Sequence, residues 1–311
     1  MANQAQTVSN WTPDRLPSLE GRAYIITGGN SGIGLEAAIM LAHAGGSVTL
    51  ACRNAEKAAT AAARVASETG HEPGIVILDL ASMASIKRAA DDVRTRHEKI
   101  DGLINNAGIM QTPQMKTEDG FELQFGSNHL GHFLWTGLLL DRVEAASGRV
   151  VTVSSIAHKF GQIYLDDLML ENGYTPTKAY GQSKLANLMF ALELQRRLSA
   201  KGSPAQSMAC HPGYTDTALQ STGPTGLWSF VYKFTNALVA QPAEKGAIPT
   251  VLAAAGDEAR PGGYYGPTGW MDAGGPVGDA QIAGRALKED VAAELWRRSE
   301  ALVGLRMFAE R

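Results

Sequence analysis

Short apolar runs alternate along this chain with longer stretches of mixed polarity. Residues 23–26 are the first run, followed by a helical stretch over 35–43. The next apolar run, 47–52, leads into an alanine-rich helix ending near residue 68. A third run at 74–78 precedes an amphipathic helix over 82–97, and a fourth at 100–104 precedes a long apolar helix over 121–140. Residues 149–153 and 205–210 are two more strands. Between them, Thr175 as N-cap and Pro176 at the first helical position predict a helix running to about residue 200. An edge strand is expected within 262–266 and a last helix over 289–305. Strict alternation with short connections predicts an α/β fold, a Rossmann-type doubly wound parallel sheet in a single domain. Residues 1–21 are polar and read as an extension over that domain, anchored by Trp11, with the domain itself at 22–311.

Each strand ends on a residue able to bind or react. Gly28, Arg53, Asp79, Asn106, Ser155 and Pro212 all follow their strands. In an open parallel sheet those ends share one edge, where ligands bind. The first of them opens Thr27-Gly28-Gly29-Asn30-Ser31-Gly32-Ile33-Gly34. Glycines there allow a sharp turn and a close approach to phosphate, and the helix that follows offers unpaired N–H groups. The spacing of Gly28, Gly32 and Gly34 departs from the GxGxxG fingerprint, so an ordinary tight turn stays open beside nucleotide binding.

Composition narrows the class. The chain has 311 residues, 44% hydrophobic and 19% charged, as in an ordinary soluble globular protein. A net charge of −3 gives no reason to expect nucleic acid or an anionic membrane as partner. No apolar stretch is long enough for an integral membrane segment, and the polar start lacks a signal core. Cys52 and Cys210 read as buried thiols in a reducing compartment, hence a cytoplasmic expectation.

The chemistry centres on Tyr180 and Lys184, four apart on one helix face. A phenol is too weak an acid to serve at neutral pH unless a nearby cation favours its phenolate. A solvated helix face is the competing reading of that pair. Tyr174 and Lys178 share the spacing, but Pro176 places Tyr174 before the helix. Ser155 sits where a hydroxyl could meet a substrate oxygen, or could cap a loop. Asn128 lies in an apolar helix, where an amide needs partners: a water near Lys184, or neighbouring backbone. His129, His132 and His158 lack the carboxylates or thiolates of a metal set and are read as structural. No G-x-S-x-G elbow surrounds Ser155, which argues against a hydrolase.

Taken together, residues 27–34, Asn105-Asn106-Ala107-Gly108, Ser155, Tyr180-Gly181-Gln182-Ser183-Lys184 and Pro212-Gly213 resemble a short-chain dehydrogenase/reductase. Val153-Ser154-Ser155-Ile156-Ala157-His158 and Asn128-His129-Leu130-Gly131-His132-Phe133 are most similar to the retinol dehydrogenase-like branch. That branch's membrane-bound members usually begin with an apolar anchor, absent from this start. The resemblance implies a catalytic tetrad of Asn128 as relay, Ser155 as substrate-orienting group, Tyr180 as acid/base, and Lys184 lowering the Tyr180 pKa and binding ribose. It places the catalytic serine second in the Ser154-Ser155 pair. It also implies that Asp79 and Leu80 flank the adenine, that Asn106, Ala107 and Gly108 line the middle of the cofactor, and that Thr215 meets the nicotinamide amide. Homo-oligomers form in the family through the helices bearing Asn128 and Tyr180.

Arg53 stands where NAD binders of this fold carry an acidic residue. A guanidinium there suits a 2′-phosphate, with Asn30 and Ser31 assisting, so NADP(H) is the preferred cofactor and NAD(H) the alternative. The expected activity is NADP(H)-dependent interconversion of a small-molecule carbonyl and alcohol. A non-catalytic NADP-sensing protein is the alternative, and a sugar-nucleotide epimerase is disfavoured by the short chain after Gly213. The aromatic stretch 227–234 lies in an expected lid over 214–245, as a cover for a bulky apolar substrate, a subunit contact or a membrane-surface contact.

Overall fold

A computed structural model of the chain describes residues 7–214 and 242–308. The apolar runs assemble into β1 Ala23–Thr27, β2 Ser47–Cys52, β3 Gly74–Ile77, β4 Gly102–Asn105, β5 Arg149–Val153, β6 Gln206–Cys210, β7 Tyr264–Pro267 and β8 Val277–Asp279. They form one sheet of order β3-β2-β1-β4-β5-β6-β7-β8. Pairing is parallel through β7, and β8 returns antiparallel with Asp279 opposite Tyr265. The chain order reverses at β1, which pairs with β2 on one side and β4 on the other. A crevice opens at such a switch point, at the carboxyl ends of the strands.

Two helical layers cover the sheet, which explains why its strands are apolar on both faces. Helices α1 Gly32–His43, α2 Ala55–Thr69 and α7 Ala243–Ala255 enclose one core, with Leu41, Leu50, Val65 and Val251 inaccessible. Helices α3 Met83–Arg96, α5 Gly131–Ala145, α6 Pro176–Ala200 and α8 Glu289–Val303 enclose the other, around Leu103, Phe133, Leu188 and Trp296. Local signals set the helix starts. Asn54 accepts from Lys57 N at 2.8 Å, and Thr175 Oγ1 accepts from Lys178 N at 3.1 Å. Tyr174 accordingly precedes α6, and its hydroxyl donates to the Thr112 carbonyl at 2.9 Å.

The long helix expected over 121–140 is instead three pieces. The buried Glu122 carboxylate accepts from Gln124 N and Phe125 N, starting the single turn α4, Leu123–Phe125. A π-helical stretch follows, Gly126–Leu130, before α5. Gly131 makes room there for the Leu80 carbonyl, which would lie 2.6 Å from a Cβ. Helix α7 runs through Pro249, a residue that ordinarily breaks a helix interior. It begins at Ala243, inside the range expected for the lid, and the rest of that range from 215 to 241 lies outside the described residues.

Trp11 is buried, its ring N–H donating to Glu258 at 2.9 Å and its amide to the Val277 carbonyl at 2.9 Å. At the other end, α8 lies over α5 and α6. Trp296 stacks on Phe190 at 5.6 Å and meets Phe133 edge-on at 4.9 Å. The helices through which the resemblance implies subunit association are thus partly covered by the chain itself. Among the described residues, no helix is long and apolar enough to cross a membrane.

Candidate active site

The turn after β1 is built so that side chains stay out of it. Gly28 and Gly32 have φ of +68° and +51°, where an L side chain is strained. A Cβ on Gly34 would stand 2.5 Å from Asn106 Nδ2 and 2.5 Å from the Gly28 carbonyl oxygen. Ser31 occupies the N-cap of α1, yet its hydroxyl caps nothing. The first-turn N–H groups of Gly32, Ile33 and Gly34 thereby suit an anionic ligand at the partial positive end of α1. Beneath the turn, the buried Cys52 thiol accepts from the backbone of Gly29 and Asn30, and burial pushes its pKa up to about 11. Cys52 is therefore a support for the turn, a role its apolar run did not signal. Arg53, the next residue, is exposed at the end of β2. A phosphate-sized cradle, an uncapped helix start and an exposed guanidinium fit a dinucleotide.

Thr27 ties this turn to the end of β4. Its Oγ1 accepts from Asn106 N at 2.9 Å and Ala107 N at 3.0 Å, while Asn106 Nδ2 donates to the Thr27 carbonyl at 2.8 Å. Gly108 lies against Asn128 and Lys184, each about one van der Waals contact from where its Cβ would be, at 3.4 Å. On the far side, Asp79 accepts from Ala81 N at 2.9 Å, and Leu80 packs over Gly131. Gly28, Gly34, Asn106 and Ala107 thus meet around Thr27 at the ends of β1 and β4. Gly213 completes the edge after β6 with φ +73°, where a Cβ would lie 2.6 Å from the Ala273 carbonyl oxygen. Pro212 precedes it, and Thr215 lies outside the described residues.

Tyr180 and Lys184 on α6 face the end of β5. Ser155 N-caps the short helix Ile156–Lys159, accepting from Ala157 N at 3.2 Å, and also bonds the Tyr180 phenol. Ser154 is distinct: it is buried and donates to the Lys184 carbonyl at 2.8 Å. Of the two serines, Ser155 is the one beside the phenol. Lys184 is buried, donates to the Val153 carbonyl at 3.2 Å, and is pushed down to about 8 by that burial. The expectation that Lys184 lowers the Tyr180 pKa is not met in the protein alone. Burial raises the phenol, and the Ser155 hydrogen bond is what opposes it. Lys184 Nζ stands 5.8 Å from the centre of the Tyr180 ring.

The Asn128 amide is spent on protein partners. Its Oδ1 accepts from Ile109 N at 2.8 Å, and its Nδ2 donates to the Ile109 carbonyl at 2.9 Å and to Ser183 Oγ at 3.0 Å. The histidines read as structural have specific tasks. His158 Nδ1 bonds the Ser155 carbonyl at 2.7 Å, and its Nε2 accepts from Ala283 N at 3.3 Å. The latter bond fixes the proton on Nδ1, so His158 holds the backbone of Ser155. His129 bonds Ser299 of α8 at 2.9 Å. Such roles depend on residues far apart in the chain, and no local pattern announces them.

Comparison with known proteins agrees with this geometry. Residues 22–226 match the family described as short chain dehydrogenase. Human retinol dehydrogenase 13 is 42% identical over 297 residues, covering 93% of this chain and 86% of that protein. A solved structure from Mycobacterium paratuberculosis, described as a putative uncharacterized protein, has a TM-score of 0.81 at 40% identity, covering 96% of this chain and all of that one. The RhlG/NADP active-site complex of Pseudomonas aeruginosa has a TM-score of 0.63 at 25% identity, covering 82% of this chain and 96% of the other. This chain belongs to the short-chain dehydrogenase/reductase family, in its retinol dehydrogenase-like branch, and is a carbonyl/alcohol oxidoreductase.

Proposed function

We propose that this protein interconverts a carbonyl and an alcohol with NADP(H), on a bulky apolar substrate. The observation that carries the reading is the meeting of Ser155, Tyr180 and Lys184 beside a glycine turn that has Arg53 exposed at its rim. When bound, the nicotinamide supplies or accepts the hydride. The protein's own part is to bind, orient and move a proton. Tyr180 holds its proton in the protein alone, so in the reducing direction it can give it to the substrate oxygen. Ser155 orients that oxygen while its backbone is held by His158. Lys184 offers its ammonium toward the ribose, and Asn128 holds Ile109 and Ser183 in place.

The cofactor preference is supported by Arg53, whose guanidinium can take a 2′-phosphate bidentately. Among the described residues, no carboxylate engages it. The apolar substrate is supported by the rim. Lys159 and Asp272 pair at 2.5 Å and join two loops that expose Phe160, Trp270 and Met271. The retinol dehydrogenase relatives, by name, act on an apolar alcohol.

The test is a titration of NADPH and NADH into wild type and Arg53→Ala. Wild type should prefer NADPH, and the variant should lose that preference while keeping its affinity for NADH. Equal affinities in wild type would remove the phosphate role of Arg53. Binding of neither dinucleotide would overturn the reading of the glycine turn and everything placed upon it.

A further inference from the structure

His132 joins two parts of the site that the sequence keeps apart. It is buried in α5, 105 positions from Thr27, and its Nε2 stands 2.8 Å from Thr27 Oγ1. Its Nδ1 stands 2.9 Å from the Asn128 carbonyl oxygen, in the π-helical stretch. The proton can be assigned by counting. Thr27 Oγ1 already accepts from Asn106 N and Ala107 N, which fills its two lone pairs. Its one hydrogen is left for Nε2 at 2.8 Å, the nearer of two acceptors, the Ile104 carbonyl lying 3.4 Å away. The Asn128 carbonyl can only accept, so Nδ1 carries the hydrogen. Both ends demand the same neutral tautomer.

The direction of the bonds continues beyond His132 at each end. From the cofactor side, the amides of Asn106 and Ala107 donate to Thr27, and Thr27 donates to His132. His132 donates to the Asn128 backbone, and the Asn128 side chain donates to Ser183 Oγ at 3.0 Å. Ser183 in turn donates to the Tyr180 carbonyl at 2.9 Å. One run of bonds thus reaches from the turn that would hold the dinucleotide to the residue that would move the proton. His132 is its middle member, crossing by side chain between the β1 end and the helix bearing Asn128, beside the backbone link that Ile109 makes to the Asn128 amide.

We propose that His132 is a positioning residue that sets the register between the dinucleotide-binding turn and the catalytic helix, through Thr27 on one side and Asn128 on the other. The inference rests on the function proposed above. The ring also gives the Asn128 carbonyl, within the π-helical stretch, a buried side-chain donor. Without His132 the Asn128 carbonyl loses its Nδ1 donor, and the Thr27 hydroxyl keeps only the Ile104 carbonyl, 3.4 Å away, as an acceptor.

The test compares His132→Phe, which keeps a flat ring and loses both bonds, with His132→Gln, whose amide carries one donor and one acceptor at a similar separation. Dinucleotide Kd, kcat and Tm are measured for each. His132→Phe should bind the dinucleotide about tenfold more weakly and turn over more slowly, and His132→Gln should recover most of both. A purely structural role predicts a lower Tm with Kd and kcat unchanged well below it, and that result overturns the proposal. If His132→Phe does not fold, His132→Asn serves: its shorter amide reaches Asn128 and not Thr27, and it should lose affinity by several-fold. Wild-type values of both Kd and kcat in His132→Asn would overturn the proposal equally. Wild type that binds and turns over while the variants match it sinks this inference alone. Wild type that binds no dinucleotide sinks the proposed function, and this inference with it.

Discussion

Lys184 carries its ammonium 3.2 Å from the Val153 carbonyl oxygen and 5.8 Å from the centre of the Tyr180 ring. The cation is thus hydrogen-bonded to the end of β5. The physical consequence is a phenol above its ordinary pKa in the protein alone, because burial disfavours phenolate. Difference absorbance of phenolate against pH, wild type minus Tyr180→Phe, should show the Tyr180 transition above 10. A transition well below 10 without cofactor would contradict the geometry. The same variant should lose about a hundredfold or more in kcat while binding the dinucleotide within a few-fold of wild type.

The adjacent serines should separate cleanly. Ser155→Ala removes the hydroxyl that bonds the phenol and caps Ile156–Lys159, so kcat should fall by at least about tenfold, alongside a cap loss of about 1 kcal/mol. Ser154→Ala removes a buried donor from the Lys184 carbonyl at 2.8 Å. It should cost about 1–3 kcal/mol of stability, read by urea denaturation, and leave kcat comparatively unharmed. The reverse pattern would exchange their roles.

Gly34→Ala should be far more damaging than a helix propensity argument suggests. Alanine favours helix, yet the new Cβ would lie 2.5 Å from both Asn106 Nδ2 and the Gly28 carbonyl oxygen. Both belong to the proposed cofactor crevice, so the turn must open. The expected result is a destabilisation of about 1–3 kcal/mol together with loss of dinucleotide affinity. Unchanged affinity would show that the crevice can yield there at no cost.

Stability should fall as the medium turns acid, starting near pH 6.5. His129, His132 and His211 are buried, and desolvation lowers them from 6.5 to about 3, 4 and 3. Between pH 6.5 and 4 the unfolded chain takes protons on these rings that the native chain refuses, so stability is lost as pH falls through that window. Three such groups give a slope of roughly 4 kcal/mol per pH unit once the unfolded rings are charged. Glu122 works the other way: its carboxyl is raised by burial, so just above pH 4.5 the native chain holds a proton the unfolded chain releases. The net decline should be visible in Tm at pH 7, 6 and 5, and a flat profile there would contradict the burial of the rings.

Much of this architecture follows from the order of residues alone. Apolar runs such as 23–26 and 149–153 alternate with helical periods, and a sheet covered on both faces is the arrangement that buries them all. Because parallel strands end on one edge, Gly28, Arg53, Asp79, Asn106, Ser155 and Gly213 are brought to one side once the strands are identified. Local chemistry also set the start of α6: Thr175 caps it, Pro176 opens it, and Tyr174 is left outside.

Other features exist only in the folded chain. The π-helical stretch at Asn128 arises where the Leu80 backbone presses on Gly131 and Glu122 starts the helix late, and these residues meet only across the sheet. Burial, a property of the whole core, raised Tyr180 and lowered Lys184 where spacing alone suggested mutual stabilisation. Helix α8 covers α5 and α6 because Trp296 finds Phe133 and Phe190, more than a hundred residues upstream. The tautomer of His132 was decided in the same way, by counting the bonds of Thr27, a residue it meets only when β1 and α5 pack together. Periodicity and spacing determine which groups reach the sheet edge; hydrogen-bond saturation and desolvation, which depend on every neighbour at once, decide what each group does there.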